Sequence, residues 1–304
     1  MKTVYLNDHI AQSAIDRLKK YVNIVDNFDH PEDIDAIIIR QQYCTKEMID
    51  KAINCKLIQM HGTGMDRIDV EEAKKKGIPV LSTHGGNAQS VAELTVAFIL
   101  ATSRKLTTIN NGTKEGRYKV FGLPETEGSE VYGKTIGFYG SGQIALMVAN
   151  IMKNAFHCNT LFYNPHLTDE RCRKQGIKKV DSLEELVEQA DFFSIHVPLT
   201  NDTYHSVNKE VLSHSKKGMI LINTARGGIV DEDALFEALK DGTVKAAAMD
   251  VFEKQPPEPS EPLLQLDNFI GTIHIGGSTK EALERNGKVV VDNVFQYLGI
   301  EEEQ

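Results

Sequence analysis

The sequence predicts an α/β protein made of two doubly wound parallel sheets, each with helices on both faces. Three observations carry that expectation. The chain has 304 residues, long for one domain and ordinary for two. Short β-rich runs alternate with amphipathic helical stretches from one end to the other, the pattern of parallel strands joined by crossover helices. A glycine-rich turn, Gly140-Ser141-Gly142, stands between a predicted strand and a predicted helix near the middle.

In the first third, strands are predicted at 4–6, 36–39, 57–60 and 79–81, with helices at 11–20, 46–52 and 70–76. The run Ala36-Ile37-Ile38-Ile39 suits a strand buried on both faces. A longer helix is predicted at 90–102, where Ser90-Val91-Ala92-Glu93 fits a capping box, and it is expected to bridge two domains. Residues 105–133 are polar and aperiodic, which predicts little regular structure. The alternation then restarts, with strands at 135–139, 160–163, 192–197, 219–223, 244–248 and 269–272. Helices fall between them, including 182–189, capped by Ser182, and 233–240, stopped by Gly242. A last helix, about 279–298, is expected to return to the first domain. The expected organisation is two Rossmann-like domains. An outer one, flavodoxin-like and discontinuous, takes residues 1–100 plus 277–304; a dinucleotide-binding one takes 101–276. The acidic end Glu301-Glu302-Glu303 is expected to fray.

Composition narrows the function classes. The formal charge of −9, from 34 Lys and Arg against 43 Asp and Glu, argues against a nucleic-acid partner, which needs clustered cations. Lys74-Lys75-Lys76 and Lys178-Lys179 read as solvated faces. Cys44, Cys55, Cys158 and Cys172 form no CxxC pair and no metal-like spacing with histidine, so no metal and a reduced compartment are expected. The apolar runs are too short to span a bilayer, and the first residues lack a signal-peptide core. The expected location is the cytoplasm, with no membrane partner.

Around the glycine turn each residue has a physical task. Gly140 permits the tight turn, Gly142 lets backbone approach a pyrophosphate, and Ala145 supplies the small residue for helix–sheet packing. Ser141, Gln143 and Ile144 complete the expected cradle, where phosphates would meet open N–H groups at a helix start. A glycine pattern by itself is weak; the strand before, the amphipathic helix after and a second strand on schedule strengthen it. A different nucleotide, such as a methyl donor, stays open at this point. The second strand ends at Asn164, where an acidic residue would normally bind the ribose hydroxyls. Asparagine can accept a hydrogen bond but carries no charge to repel a 2′-phosphate, and His166, Arg171 and Arg173 follow. NAD is therefore expected, with NADP admitted.

Further motifs follow in a fixed order: His61-Gly62-Thr63-Gly64-Met65-Asp66, Asn87-Ala88-Gln89-Ser90-Val91-Ala92-Glu93, the glycine turn, then His196-Val197-Pro198-Leu199-Thr200 with Thr203. Asn223-Thr224-Ala225-Arg226-Gly227-Gly228, Met249-Asp250-Val251-Phe252 and His274-Ile275-Gly276-Gly277-Ser278-Thr279 complete the set. Nearly end to end, the chain resembles the D-isomer-specific 2-hydroxyacid dehydrogenases, within them the short phosphoglycerate dehydrogenase-like members. The resemblance implies an NAD(P)-dependent oxidoreductase that interconverts a D-2-hydroxy acid and its 2-oxo acid by hydride transfer. Phosphoglycerate, glyoxylate and pyruvate-type substrates all remain open.

The implied roles meet physical needs. His274, at the end of the last strand, is implied as the acid/base, since imidazole accepts and returns a proton near neutral pH. Arg226 can hold a carboxylate through two parallel bonds and polarise the 2-oxo group. Cofactor contacts are implied at His196, Val197, Pro198, Thr203, Thr224, Ala225, Asp250 and Gly276, and substrate contacts at Arg40, Thr63 and Gly64. Relatives place a glutamate five residues after the aspartate of Asp-Val-Phe, paired with the histidine; here that residue is Gln255. Glutamine orients the ring without a charge, so the reductive limb is expected at lower pH than in Gln255→Glu. Formate dehydrogenases of the same superfamily also carry glutamine there. The alternative is a cofactor-binding, non-catalytic protein of the same fold, like the corepressors that share it. By analogy with the family, the helix from Ser90 and the loop 117–131 suggest a homodimer seam.

Overall fold

The computed structural model describes residues 1–302. The chain divides into Met1–Ser90 together with the segment from Gly277 onward, and Val91–Gly276.

The first unit holds strands β1 (Lys2–Leu6), β2 (Val22–Val25), β3 (Ala36–Ile39), β4 (Leu57–Met60) and β5 (Val80–Leu81). Between them run helices α1 (Gln12–Lys19), α2 (Lys46–Lys51) and α3 (Val70–Lys75). All strands are parallel, in the order β2-β1-β3-β4-β5, the flavodoxin-like winding. β3 and β4 are buried along their whole length; β3 is an unbroken apolar run, and in β4 the buried Gln59 amide donates to the Met60 carbonyl at 2.8 Å. β2, an edge strand interrupted by the exposed Asn23, escaped the sequence reading because it has no continuous buried apolar run. Thr45 and Asp69 cap α2 and α3 by accepting from the N–H groups of Met48 and Glu72.

Helix α4 (Ala88–Ser103) contains the boundary between the units. It starts two residues earlier than predicted, so Ser90 is not its cap; the Ser90 hydroxyl bonds the Thr279 hydroxyl at 2.6 Å instead. Residues 105–133 are less irregular than expected: α5 (Leu106–Lys114) and a short 3-10 turn, Pro124–Thr126, lie there. Thr, Asn and Gly are poor helix formers, which hid α5. Gly112 is required there by space, since a Cβ would stand 2.5 Å from the Tyr118 ring.

The second unit continues with β6 (Thr135–Tyr139), α6 (Gln143–Phe156), β7 (Asn159–Tyr163), α7 (Asp169–Gln175), β8 (Lys178–Lys179), α8 (Leu183–Gln189) and β9 (Phe192–Ile195). Then come α9 (Lys209–Ser213), β10 (Ile220–Asn223), α10 (Glu232–Asp241), β11 (Ala246–Met249) and β12 (Phe269–Gly271). The parallel order is β12-β11-β10-β9-β6-β7-β8, a Rossmann-type sheet reversing direction between β6 and β9. It has seven strands rather than six: Lys178 and Lys179, read as a solvated face, pair beside Leu161 and Phe162 as an exposed edge. Alternate residues feed two cores. Phe138, Phe162 and Ile222 face one side, with the Phe138 and Phe162 rings stacked at 4.9 Å; Tyr139, Phe193 and Leu221 face the other.

Helix α11 (Lys280–Leu298) returns to the first unit, capped by Thr279, and packs Val290, Val291, Val294 and Leu298 with Leu18 of α1. A Cβ on Gly287 would lie 2.9 Å from Ala14 Cβ, so glycine sets how closely the two helices approach. Glu302 is held by Arg17 Nε at 2.7 Å, against the expectation of a frayed end; Glu303 lies outside the described residues. Among the described residues no helix is long and apolar enough to cross a membrane.

Candidate active site

The glycine turn sits where β6 and β9 part. Gly140 has φ 104°, and a Cβ there would stand 2.5 Å from the His196 carbonyl oxygen. Both conformation and space demand glycine. At Gly142 an added Cβ would meet nothing within 4 Å, and α6 starts without a side-chain cap. The N–H groups of the first turn, around Gln143 and Ile144, are thus presented toward open space, which fits a pyrophosphate. Ala145 is fully buried beneath them.

Ser141 is buried, with its hydroxyl accepting from the Asn164 amide at 3.0 Å and its carbonyl from Arg171 Nη2 at 2.8 Å. The Asn164 oxygen accepts from the His166 N–H at 2.9 Å, so the residue shapes its own turn. Sequence reasoning saw Arg171 only as a nearby cation; the structure lays it across the glycine turn.

On the β9 side, the His196 N–H donates to the Tyr139 carbonyl and its Nε2 lies 2.8 Å from the Ser194 hydroxyl. Burial pushes this imidazole down to about 3, so it is neutral and rests against Ser194 and the Phe138 ring, while the backbone carbonyl of His196 faces Gly140. Val197 packs beside the same glycine. The Thr203 hydroxyl donates to the Pro198 carbonyl at 2.7 Å and accepts from the Thr200 N–H at 2.8 Å, closing that loop.

After β10 the chain turns through Thr224, Ala225 and Arg226. Buried Asn223 shapes this turn: its oxygen accepts from the Ala225 N–H at 3.0 Å, and its amide donates to the Arg226 carbonyl at 2.9 Å. The Thr95 hydroxyl gives its proton to the Val91 carbonyl, so Thr224, 2.9 Å away, must be the donor to Thr95. Arg226 is half-buried, and its Nη1 donates to the Ala225 carbonyl at 2.7 Å. A Cβ on the next residue, Gly227, would stand 1.9 Å from the Phe252 carbonyl oxygen. The arginine loop is therefore pressed onto the Phe252–Glu253 peptide.

That peptide leads to the histidine. Gln255 Nε2 donates to the Phe252 carbonyl at 2.9 Å, and Gln255 Oε1 lies 2.8 Å from His274 Nδ1. His274 has φ 65°, an unusual backbone for a non-glycine residue, and the segment around it is anchored by one carboxylate. Buried Asp250 accepts from the Thr272 hydroxyl at 2.5 Å and from the N–H groups of Ile275 and Gly276, each at 2.7 Å. A Cβ on Gly276 would stand 3.0 Å from that carboxylate. The sequence implied Asp250 only as a cofactor contact; this anchoring is encoded in no spacing. Glu253 does not take the place of the missing glutamate: its carboxylate pairs with His205 Nε2.

In the first unit, Arg40 follows β3. Its N–H donates to Asp8 at 2.7 Å, its Nη1 to the His9 carbonyl at 3.0 Å and its Nη2 to the Ser278 hydroxyl at 2.6 Å. Burial lowers its guanidinium pKa, with Asp8 opposing. Thr63 is exposed beside half-buried Gly64. His61 is buried; both ring nitrogens lack a partner among the described residues, and burial pushes it down to about 4.

A glycine turn at a sheet's switch point, with arginine and histidine on neighbouring loops of the same unit, defines a dinucleotide-binding α/β protein. Residues 96–276 match the model of the D-isomer specific 2-hydroxyacid dehydrogenase, NAD binding domain. The chain belongs to the D-isomer specific 2-hydroxyacid dehydrogenase family, and NAD is the cofactor that this domain takes. It is 41% identical over 268 residues to the D-3-phosphoglycerate dehydrogenase of Methanocaldococcus jannaschii, covering 88% of this chain and 50% of that protein. The chain thus spans about half the length of that relative. Identity to the hydroxypyruvate reductase of Thermotoga maritima is 38%, covering 98% of each chain. Among solved structures, the D-lactate dehydrogenase of Aquifex aeolicus with NAD and lactic acid superposes with a TM-score of 0.86 at 29% identity, covering 98% of this chain and 96% of that one.

Proposed function

We propose that the protein is an NAD-linked dehydrogenase interconverting a D-2-hydroxy acid and its 2-oxo acid. The observation that carries this reading is the hydrogen-bonded pair of Gln255 and His274, on a loop anchored by Asp250 in the unit that binds the cofactor. In oxidation the hydroxyl proton goes to His274 while C2 loses hydrogen with its electron pair; the bound nicotinamide supplies the acceptor for that hydride. In reduction His274 returns the proton as the C2 oxygen gains charge. Arg226 holds the carboxylate and polarises the oxo group. In the first unit, the family resemblance implies Thr63 and Gly64 as substrate contacts through backbone N–H groups, which bind an anion without adding counter-charge.

Both terminal nitrogens of Arg40 already have partners within the protein, which a distal phosphate would have to displace. This favours a short, unphosphorylated 2-oxo acid such as glyoxylate or hydroxypyruvate over 3-phosphohydroxypyruvate. A cytoplasmic homodimer is part of the proposal.

NADH oxidation over glyoxylate, pyruvate, hydroxypyruvate, 2-oxoglutarate and 3-phosphohydroxypyruvate tests it. Turnover is expected to be fastest with glyoxylate or hydroxypyruvate, and His274→Ala is expected to lose about 10²- to 10⁴-fold in kcat. Tight NADH binding with no turnover on any of the five acids would instead favour a cofactor-dependent binding protein.

A further inference from the structure

We propose that Glu232 is a positioning residue for His274, acting through the Phe252–Glu253 peptide and the Gln255 side chain. The inference deepens the proposed function and rests on His274 being its acid/base.

One peptide group is held from both ends. Its carbonyl, that of Phe252, accepts from Gln255 Nε2 at 2.9 Å; its N–H, that of Glu253, donates to Glu232 Oε1 at 2.7 Å. Gly227 packs flat on the same peptide, where a Cβ would lie 1.9, 2.1 and 2.6 Å from the Phe252 oxygen, the Phe252 carbon and the Glu253 nitrogen. The peptide cannot rotate without disturbing the loop that carries Arg226.

The direction of the Gln255 amide follows. A carbonyl oxygen only accepts, so the Gln255 atom facing Phe252 must be the nitrogen, and the atom facing His274 must be the oxygen. Amide oxygen also only accepts. His274 Nδ1 must therefore carry a proton, and in the neutral ring Nε2 is left as the lone-pair nitrogen that takes the substrate proton. Glu232 sets this tautomer at one remove: by fixing the Glu253 N–H it fixes where the Phe252 carbonyl points, and so which end of Gln255 meets the ring. Glu232 is the first residue of α10, after the cap Asp231, where the helix end favours an anion. Burial nevertheless pushes its carboxyl up to about 7, with Glu253 and Glu261 adding and His205 and the Glu253 N–H opposing, so the group is held at some cost.

A glutamate at 255 would not simply add charge. Its carboxylate cannot donate to the Phe252 carbonyl, so the clamp would break from the other side.

The test is histidine tautomer spectroscopy on the full chain labelled with ¹⁵N-histidine, with His274→Asn assigning the signal. At pH 8 the wild-type ring is expected as the Nδ1–H tautomer. Glu232→Ala is expected to mix the tautomers and lower kcat for 2-oxo acid reduction about tenfold, with KM for NADH within twofold. Glu232→Gln, which can still accept from the Glu253 N–H, should restore both. If Glu232→Ala does not fold, Glu232→Asp, one methylene short, makes the same comparison. A wild-type Nε2–H ring overturns the inference, as does a Glu232→Ala protein with the wild-type tautomer and kcat. The expected tautomers with no turnover on any 2-oxo acid would sink the proposed function and leave only the tautomer control by Glu232; turnover with the wrong tautomer would sink the inference and leave the function.

Discussion

Asn164 joins two turns: its amide reaches Ser141 of the glycine turn and its oxygen holds the His166 N–H. Arg171 donates to the Ser141 carbonyl, which lays its guanidinium against the same turn. An aspartate at 164 would place a carboxylate where a 2′-phosphate would lie, and like charges brought together cost several kcal/mol. Asn164→Asp is therefore expected to raise the ratio of kcat/KM for NADH over NADPH by about tenfold or more; an unchanged ratio would mean that the side chain does not meet the ribose. The departure at 255 was also legible in sequence, because a glutamine stands at a position counted from Asp250. The partner of its amide was not legible, since the Phe252 carbonyl arrives through a local fold that no spacing records.

At the scale of elements, buried apolar runs were readable and exposed edges were not. The six strands at 135–139 through 269–272 were expected from such runs, whereas β2, broken by Asn23, and β8, two exposed lysines, are edge strands with no buried run to register. Helix α10 was expected, but not that its first residue turns a carboxyl inward. Glu232 ionises near 7 in the fold against an ordinary value of 4.5, so the native state binds more protons than the unfolded chain between those values. Stability should then fall as pH rises from about 4.5 to about 7. The loss is about 1 to 2 kcal/mol once solvent screening of a half-buried group is allowed for. Glu232→Gln keeps the acceptor and removes the titration, so urea unfolding of the two proteins should diverge across that window. Parallel curves would show that the carboxyl is not held as described.

For the whole molecule, the loop 117–131 is the proposed homodimer seam, and it carries the exposed pair Val120 and Phe121. Exposed apolar side chains grouped on one segment suit a partner surface. Phe121→Glu is expected to weaken self-association at least about tenfold in sedimentation equilibrium while leaving NADH binding intact. An unchanged dimer, or a wild-type monomer, would remove the seam from the proposal.

The sequence by itself determined the two parallel sheets and the glycine turn, and through the family resemblance it singled out Arg226, Gln255 and His274 as candidates. These rest on periodicity, glycine conformation and motif order, which are written along the chain. Only the tertiary structure decided that Asp250 anchors the loop around His274, that Arg171 lies on the glycine turn, and that Glu232 and Gln255 share one peptide. Gln255 meets Phe252 three residues away, and the other contacts join residues 21 to 30 positions apart. Hydrogen-bond geometry between such residues is set by how the loops pack, and a linear pattern holds no record of it.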